Sequence, residues 1–435
     1  MTPVKRSVHF VWLLSVLAGT LAHGVAADRR GWRAFYTLEG VANGAKLAQD
    51  TRGNTYVGGT VWEGDPGWGV GIVKYDSEGH QLWAYVFDPD SPSEPRADDD
   101  FGSFAVDAQQ NVYVAAAHFG PSEIVEVFKL DPDGDLLWRD SGEGYPSELA
   151  VDPAGNCFVA GTIGSGFSPR SFLRKYSSSG EKLWERRYVA TFPPYWGSAA
   201  SLALDPAGNI FVVGFQFTIS KFDTGGNELW RKDYFEQSAS RVLTDRFGNA
   251  YVTGPNLEAD TLTVKLDPSG QELWRNIYAE PGARWTSPFE MTLDPRGNVF
   301  FTAFTEDKLT LLVKLDADGQ FAWRRREWTG QDINPFSNVA VDQNGRAWLL
   351  FAFDDGRHPA NEVLVSFDAH GRRLSRTRVG TQPDGMVGGG DILLDQKGHP
   401  VVTFLGQSNG VPGWSTAKLS WTRNARPFWP PHKRD

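Results

Sequence analysis

The segment that most resembles a metal-binding site is an acidic turn, Asp131-Pro-Asp-Gly-Asp135. Alternating carboxylates supply the oxygen ligands of calcium-binding loops. The chain repeats the same turn several times with fewer acidic residues, however, as in Ser177-Ser-Ser-Gly-Glu181. We therefore interpret the segment as a type I turn with a glycine bulge and expect no metal site.

Catalytic motifs are missing from the rest of the chain. The sequence has no H-E-x-x-H motif, no G-x-S-x-G motif and no phosphate-binding loop. The single cysteine, Cys157, takes a position held by apolar residues elsewhere in the chain, which predicts a core thiol and excludes an intrachain disulfide. We expect no catalytic residue and no cofactor. The eight histidines include no adjacent pair: His9, His23, His80, His118, His358, His370, His399 and His432.

The element that positions every candidate residue is a repeat, best seen from Ser201 to Tyr234. Two tight turns, Asp205-Pro-Ala-Gly-Asn209 and Asp223-Thr-Gly-Gly-Asn227, divide it into four short strands. The run Ile210 to Val213 is apolar without alternation, as in a strand that is covered on both faces. The repeat is therefore a four-stranded antiparallel unit.

The first turn of the repeat occurs eight times along the chain. The second turn leads into a Leu-Trp pair, and the tryptophans from Trp32 to Trp323 follow one another at intervals of 44 to 55 residues. This period is typical of β-propeller blades. We predict an all-β fold, a β-propeller of eight four-stranded antiparallel blades, with seven blades as the alternative. The eight turns begin at Asp50, Asp107, Asp152, Asp205, Asp245, Asp294, Asp342 and Asp395.

The two ends of the repeat region complement each other. Trp32 to Tyr36 matches an outer strand but has no hairpin before it, whereas the last repeat has only three strands. We predict that this N-terminal strand pairs with the segment around Ala417 to Trp421 and closes the ring, which removes open sheet edges.

The repeat also carries a family resemblance. The segments LAVDPAGNCFVAGT and KYSSSGEKLW resemble the bacterial SBBP-type β-propeller repeat, over positions 32 to 421. The resemblance implies a propeller and no shared catalytic residue. The chain is more weakly similar to pyrroloquinoline-quinone-type propeller repeats, through the Asp-x-x-Gly-x-x-Leu-Trp core, but it lacks their usual Thr-Gly-Lys turn at Pro268-Ser-Gly-Gln271.

Three segments make up the predicted domain organisation. Residues 1–27 have the basic start, the apolar run and the small residues of a signal peptide, although an uncleaved anchor is an alternative. Residues 28–422 form one propeller domain, and 423–435 form a disordered, basic, proline-rich tail. We expect a secreted or periplasmic monomer without a membrane span.

Charge limits the class of partner. The net charge is −10 at pH 7, and loss of Lys5 and Arg6 with the signal peptide lowers it to −12. This acidity disfavours nucleic acid as a partner. A small molecule, a glycan or a protein remains.

The loops at one end of the blades vary in length, and such loops are where binding residues concentrate. Several tryptophans lie in or beside these loops, and they either pack over the blade ends or form a stacking platform for a ligand. They are Trp62, Trp68, Trp196, Trp285, Trp328 and Trp414.

A set of polar and charged residues starts the innermost strands, four positions before the aspartate of each first turn. We call these the rim residues, since the register places them at the mouth of the central channel. They either solvate the strand ends or bind a polar ligand. In our hypothesis Glu148, Glu290 and Asp391 form the acidic part of a site roofed by Trp196 and Trp285. The rim residues are Lys46, Ser103, Glu148, Ser201, Arg241, Glu290, Asn338 and Asp391.

These observations favour an exported propeller that binds a ligand or partner through its loop face and channel mouth. The alternative is an enzyme, either a quinone-dependent dehydrogenase or a propeller lyase. The incomplete quinone-type repeat and the lack of large insertions count against the first, and the lack of a His/Glu pair in the loops counts against the second. The sequence leaves the question of enzymatic activity open and leans against it.

Overall fold

The computed structural model of the protein describes residues 31–37, 42–62, 68–87, 99–119, 123–164, 170–188, 199–330, 337–354, 360–383, 390–408 and 411–419. The predicted signal peptide, the basic tail and Trp196 lie outside the described residues. So do most of the long loops, apart from the segment between Ala279 and Phe289.

The described residues form 32 β-strands in eight antiparallel sheets of four strands each. The inner strands are β2 (Ala42–Gln49), β6 (Asp99–Val106), β10 (Tyr145–Val151), β14 (Ala199–Leu204), β18 (Arg241–Thr244), β22 (Thr286–Leu293), β26 (Ser337–Val341) and β30 (Asp391–Leu394). The second strands are β3 (Thr55–Trp62), β7 (Val112–Phe119), β11 (Cys157–Ile163), β15 (Ile210–Gly214), β19 (Ala250–Pro255), β23 (Val299–Thr305), β27 (Ala347–Phe353) and β31 (Pro400–Ser408).

The third strands are β4 (Trp68–Tyr75), β8 (Glu123–Leu130), β12 (Arg170–Tyr176), β16 (Thr218–Phe222), β20 (Thr261–Leu266), β24 (Leu309–Leu315), β28 (Asn361–Phe367) and β32 (Val411–Lys418). The outer strands are β5 (Gln81–Phe87), β9 (Leu136–Glu143), β13 (Lys182–Tyr188), β17 (Glu228–Asp233), β21 (Glu272–Tyr278), β25 (Phe321–Trp328), β29 (Arg373–Thr381) and β1 (Trp32–Tyr36).

The blades form a closed ring, because each inner strand contacts the inner strand of the next blade and β30 contacts β2. Blade 1 comprises β2 to β5, and the numbering continues to blade 7 with β26 to β29. Blade 8 combines β30, β31 and β32 with β1. The prediction of eight blades is confirmed, and the alternative of seven is excluded.

The predicted closure by the N-terminal strand is also confirmed, with a small shift in its partner. β1 pairs antiparallel with Trp414 to Lys418, slightly earlier in the chain than the predicted segment from Ala417 to Trp421. Trp421 lies outside the described residues.

The aspartate of the first turn stabilises the hairpin in each blade through its side chain. In blade 4 one oxygen of Asp205, Oδ1, accepts hydrogen bonds from the amides of Ala207 and Asn209, and Oδ2 accepts one from the Asn209 side chain. Gly208 supplies the positive φ of +81° that closes the turn. The acidic turn at Asp131 has the same geometry, because its Oδ1 accepts the amides of Asp133 and Asp135 at 2.9 Å.

The repeat tryptophans pack between blades. The Nε1 of Trp83 in blade 1 donates to the Pro132 carbonyl in blade 2 at 2.9 Å, and its ring lies against Gly134. Lys74 donates to the same carbonyl at 2.8 Å. The other Nε1 donors and their acceptor residues are Trp138 to Ser178, Trp184 to Thr224, Trp230 to Pro268, Trp274 to Ala317 and Trp323 to Ala369.

Blade 7 departs from this arrangement for a physical reason. Its neighbour, blade 8, takes its outer strand from the N-terminus and so has no hairpin that could accept the indole. Ser366 and Ser375 take the lysine and tryptophan positions, and their hydroxyls lie 2.6 Å apart. The decay of the motif at Leu374-Ser375 is therefore a consequence of how the ring closes.

The core consists of apolar clusters within and between blades. All five residues of β15 are buried, which fits a strand covered by the two neighbouring blades. Cys157 is fully buried and burial raises the pKa of its thiol, so its predicted role as core filler is confirmed. None of the described residues forms a helix that could cross a membrane.

Candidate functional site

The inner strands bring the rim residues together at one end of the ring. β-bulges precede several of them, with register shifts between Phe101 and Ser103, between Pro146 and Glu148, and between Ala199 and Ser201. A bulge adds a residue to one strand and re-aims the side chains that follow it. The sequence predicted the position of these residues but not the bulges.

Three rim residues form an ion-pair network across three blades. Arg241 Nη1 lies 2.9 Å from Glu148 Oε1, and Arg241 Nε lies 2.7 Å from Glu290 Oε1. Glu148 belongs to blade 3, Arg241 to blade 5 and Glu290 to blade 6. The sequence predicted one site for these residues, but not that the arginine would join the two glutamates.

The network is held by further hydrogen bonds from the inner strands. Glu148 Oε2 accepts from the Ser201 hydroxyl at 2.6 Å and from the Leu202 amide at 3.0 Å. Glu290 Oε1 also accepts from the Met291 amide at 3.0 Å. Both carboxylates are thus anchored to backbone, which orients them before any ligand arrives.

The network remains open to water. The exposed side-chain fractions are 28% for Arg241, 16% for Glu148 and 20% for Glu290. Burial would lower the pKa of Arg241, but the two carboxylates outweigh burial and raise it above its usual value. Arg241 is therefore a permanent cation between the two carboxylates.

Asp391 of blade 8 connects the last blade to the first through a hydrogen bond. Its Oδ2 accepts from the amide of Leu47 at 2.8 Å, and its Oδ1 accepts from its neighbour Ile392 at 2.7 Å. Burial raises the pKa of Asp391 to about 6, although both amide hydrogen bonds act in the opposite direction.

The rim residues share an unexpected structural role, because most of them bond to the following blade. These bonds run round the ring and stabilise the contacts between blades. They are Lys46 Nζ to the Gly102 carbonyl, the Leu202 amide to Glu148, the Val242 amide to Ser201 Oγ, Arg241 to Glu290, Asn338 Nδ2 to the Gly390 carbonyl, and the Leu47 amide to Asp391.

Two polar atoms of the network keep hydrogen-bonding capacity. Among the described residues, Arg241 Nη2 donates no hydrogen bond and Glu290 Oε2 accepts none. A donor and an acceptor on adjacent, fixed side chains suit a ligand that offers both, such as a hydroxyl or an amide.

An exposed aromatic residue that was not predicted from the sequence precedes Glu290 in the chain. Phe289 precedes Glu290 on β22 and is 40% exposed, whereas the matching residues of the other blades are small. The sequence carried one sign of it, because the equivalent residue in each of the other seven blades is alanine, serine or glycine. Exposed aromatic side chains provide stacking surface for ligands.

The loop tryptophans have different environments. The half-buried ring of Trp285 packs against Phe304 at 5.5 Å, at the end of β23, and its predicted position over the acidic residues stays a hypothesis. Trp414 is core, since it is 1% exposed and stacks on Tyr36. Trp328 is 49% exposed beside Phe353. The side chains of Trp62 and Trp68 and all of Trp196 lie outside the described parts.

Comparison with known proteins identifies the fold. No protein-family model and no curated protein sequence matches the chain, so the resemblances to SBBP-type and quinone-type repeats stay predictions. Solved structures do match. The Dos1 propeller is 10% identical with a TM-score of 0.61, and the match covers 91% of this chain and 96% of that one.

Two further structures agree with this match. BamB from Moraxella catarrhalis is 13% identical with a TM-score of 0.53, covering 86% of this chain and 96% of that chain. The dihydro-heme d1 dehydrogenase NirN, in complex with DHE, is 14% identical with a TM-score of 0.52, covering 78% and 67%. At these identities the likeness is one of fold, and the protein is a β-propeller.

Proposed function

We propose that the protein is an exported β-propeller that binds a polar ligand or partner at its channel mouth and loop face. The observation that carries the proposal is the Glu148–Arg241–Glu290 network, which is partly exposed and leaves one donor and one acceptor unused. Fixed, convergent polar groups at the mouth of a ring are characteristic of binding sites.

The chemistry of the site favours an uncharged polar ligand. Arg241 is already neutralised by two carboxylates, so it offers a hydrogen bond more than a charge. Glu290 Oε2 offers an acceptor, and Phe289, the residue before Glu290, offers an exposed apolar ring. A sugar, with hydroxyls and an apolar ring face, matches this combination better than a metal or an anion.

A glycan array and a metabolite thermal-shift screen on the purified chain test the proposal. A ligand found in this way should bind at least about tenfold more weakly to Glu290→Gln, because the amide turns the unused acceptor into a donor. Asp391→Asn should also weaken binding, because it removes the carboxylate charge of Asp391, which interacts with Glu290. Ser103→Ala is the matched control, since Ser103 is a rim residue whose side chain is buried.

Unchanged affinity in both acidic variants would move the site away from the channel mouth. Turnover of an alcohol in the presence of added quinone and calcium would contradict a purely binding role. A change in the visible absorption of the quinone-loaded protein on addition of the alcohol would detect this turnover.

The proposed export rests on residues 1–27. Their composition predicts cleavage after Ala27 and a mature N-terminus at Asp28. Mass spectrometry of protein from the periplasm or the medium measures this directly, and an intact Met1 there would contradict cleavage.

A further inference from the structure

Two neighbouring outer strands carry an unusual concentration of arginine. β25 contains Arg324, Arg325 and Arg326, and β29 contains Arg373, Arg376 and Arg378; we call these six residues the arginine face. The two strands together contain one acidic residue, Glu327, in a chain whose net charge is −10. These two outer strands are therefore basic in a chain that is acidic as a whole.

The nearby carboxylates do not neutralise this face. Arg324 and Arg326 share the buried Glu280. Arg373 and Arg376 share the buried Glu327, at 3.5 and 3.6 Å. Within the described ranges, two carboxylates thus serve four arginines, which leaves an excess of positive charge on these strands.

The remaining two arginines have no carboxylate partner in the described part of the chain. Arg325 donates to the carbonyls of Gly371, His370 and Arg324, and Arg378 donates to the hydroxyl of Thr381. Arg378 is exposed, as are Arg326 at 44% and Arg373 at 57%. The excess charge is accessible to a partner.

An aromatic pair lies at one end of the same surface. Trp328 ends β25 and is 49% exposed, with its ring 5.8 Å from that of Phe353. The guanidinium of Arg376 lies over the Phe353 ring at 5.4 Å. Exposed tryptophan beside arginine is the composition that protein interfaces favour.

The backbone of β29 is available for pairing on one side. It is the outermost strand of blade 7, nine residues long, and it pairs only with β28 among the described residues. Free strand edges accept an added strand, and like charges prevent two copies of the same edge from pairing. Arginines on this edge therefore disfavour pairing with the same edge of a second copy and favour an acidic strand as the complementary partner.

We propose that β29 binds an extended acidic polypeptide segment as an added strand. Backbone hydrogen bonds along the free edge supply part of the affinity, and the carboxylates of the segment pair with Arg373, Arg376 and Arg378. Trp328 provides an apolar contact at the end of the segment. This surface is separate from the channel mouth and does not depend on it.

Fluorescence anisotropy with a labelled peptide of alternating glutamate and valine tests the proposal on the whole chain. The double variant Arg373→Glu/Arg378→Glu should weaken binding by about tenfold or more, because attraction becomes repulsion. The matched control is Lys182→Glu/Arg187→Glu on β13, the outer strand of blade 3, where both side chains are also exposed. The control makes the same change in net charge and should alter affinity less than about twofold.

A peptide with N-methyl groups on alternate residues separates strand pairing from simple charge attraction. It keeps the carboxylates and loses amide donors, so it should bind at least about tenfold more weakly. Equal binding of the methylated peptide, or of a sulfated polysaccharide, would overturn the added-strand proposal. Equal effects of the two double variants would overturn the assignment to blade 7. If the double variant unfolds, the milder variant Arg378→Gln replaces it and should also weaken binding of the peptide.

Discussion

The indole Nε1 of Trp32 donates a hydrogen bond to the carbonyl oxygen of Ser77 at 3.0 Å. Trp32 belongs to the outer strand of blade 8, and Ser77 lies in the second hairpin of blade 1, so this bond joins the first and last parts of the ring. The ring of Trp32 lies against Gly79 in the way that Trp83 lies against Gly134. The closing contact is therefore equivalent to the contacts between the other blades.

Trp32→Ala should destabilise the ring, because it removes this bond and the packing on blade 1. We expect a loss of about 2–4 kcal/mol in the free energy of unfolding, at the level of large-to-small core substitutions. Denaturant unfolding followed by fluorescence measures it. Trp328→Ala is the control and should cost less than about 1 kcal/mol, since Trp328 is half exposed. Equal losses in the two variants would contradict a special role for Trp32.

Glycine variants separate backbone strain from contact with the repeat tryptophan. Gly180 has a φ of +90°, and an added Cβ would lie 2.5 Å from Cγ of Trp138. Gly164 has a similar φ of +81°, and no atom of the described residues would lie within 4 Å of an added Cβ. Gly164→Ala should cost about 1 kcal/mol from strain alone. Gly180→Ala should cost roughly 1–3 kcal/mol more from overpacking, and equal costs would show that the indole yields freely.

The stability of blade 7 should depend on pH through Glu362. This side chain is 1% exposed, and among the residues that the structure describes its one hydrogen bond comes from the side-chain amide of Gln382 at 2.9 Å. Burial raises the pKa of Glu362 to about 8, from a usual value of 4.5. The raised pKa means that the folded state favours the neutral form. Its contribution to stability is complete below about pH 4.5 and is lost as the pH rises through 8.

Glu362→Gln tests this dependence, because glutamine keeps the shape and stays neutral. The melting temperature of the variant relative to that of the unmodified protein should increase between pH 5 and pH 8.5. Thermal unfolding in matched buffers measures the difference. A constant difference over this range would show that Glu362 is not held neutral in the folded protein.

Arg241→Met should destabilise the channel mouth, because it leaves Glu148 and Glu290 without their shared cation. We expect a loss of about 1–3 kcal/mol, since these groups are partly buried. Arg187→Met, at an exposed ion pair, should cost less than about 1 kcal/mol. Adding Glu148→Gln and Glu290→Gln to Arg241→Met should recover part of the stability. No recovery would mean that the loss came from packing and not from uncompensated charge.

Sequence reasoning predicted the fold because a propeller is a local repeat. Each blade is specified by two tight turns and an apolar run that lie within about fifty residues of one another. The complementary ends also predicted the closure by β1, since an outer strand without a hairpin can pair only with a blade that lacks one. The same periodicity placed the rim residues at one end of the inner strands.

The partners of those side chains could not be predicted from the repeat. Arg241 and Glu148 are separated by 93 residues and by an intervening blade. Whether Arg241 meets Glu148, Asp391 or water depends on bulges, side-chain rotamers and the width of the channel, none of which has a period in the sequence. The arginine face had no local signal either, because its two strands are distant in the chain and become adjacent only when blades 6 and 7 pack together. Short-range turn chemistry and strand patterning determined the blades, and the tertiary packing of whole blades decided which charges are paired and which remain available for binding.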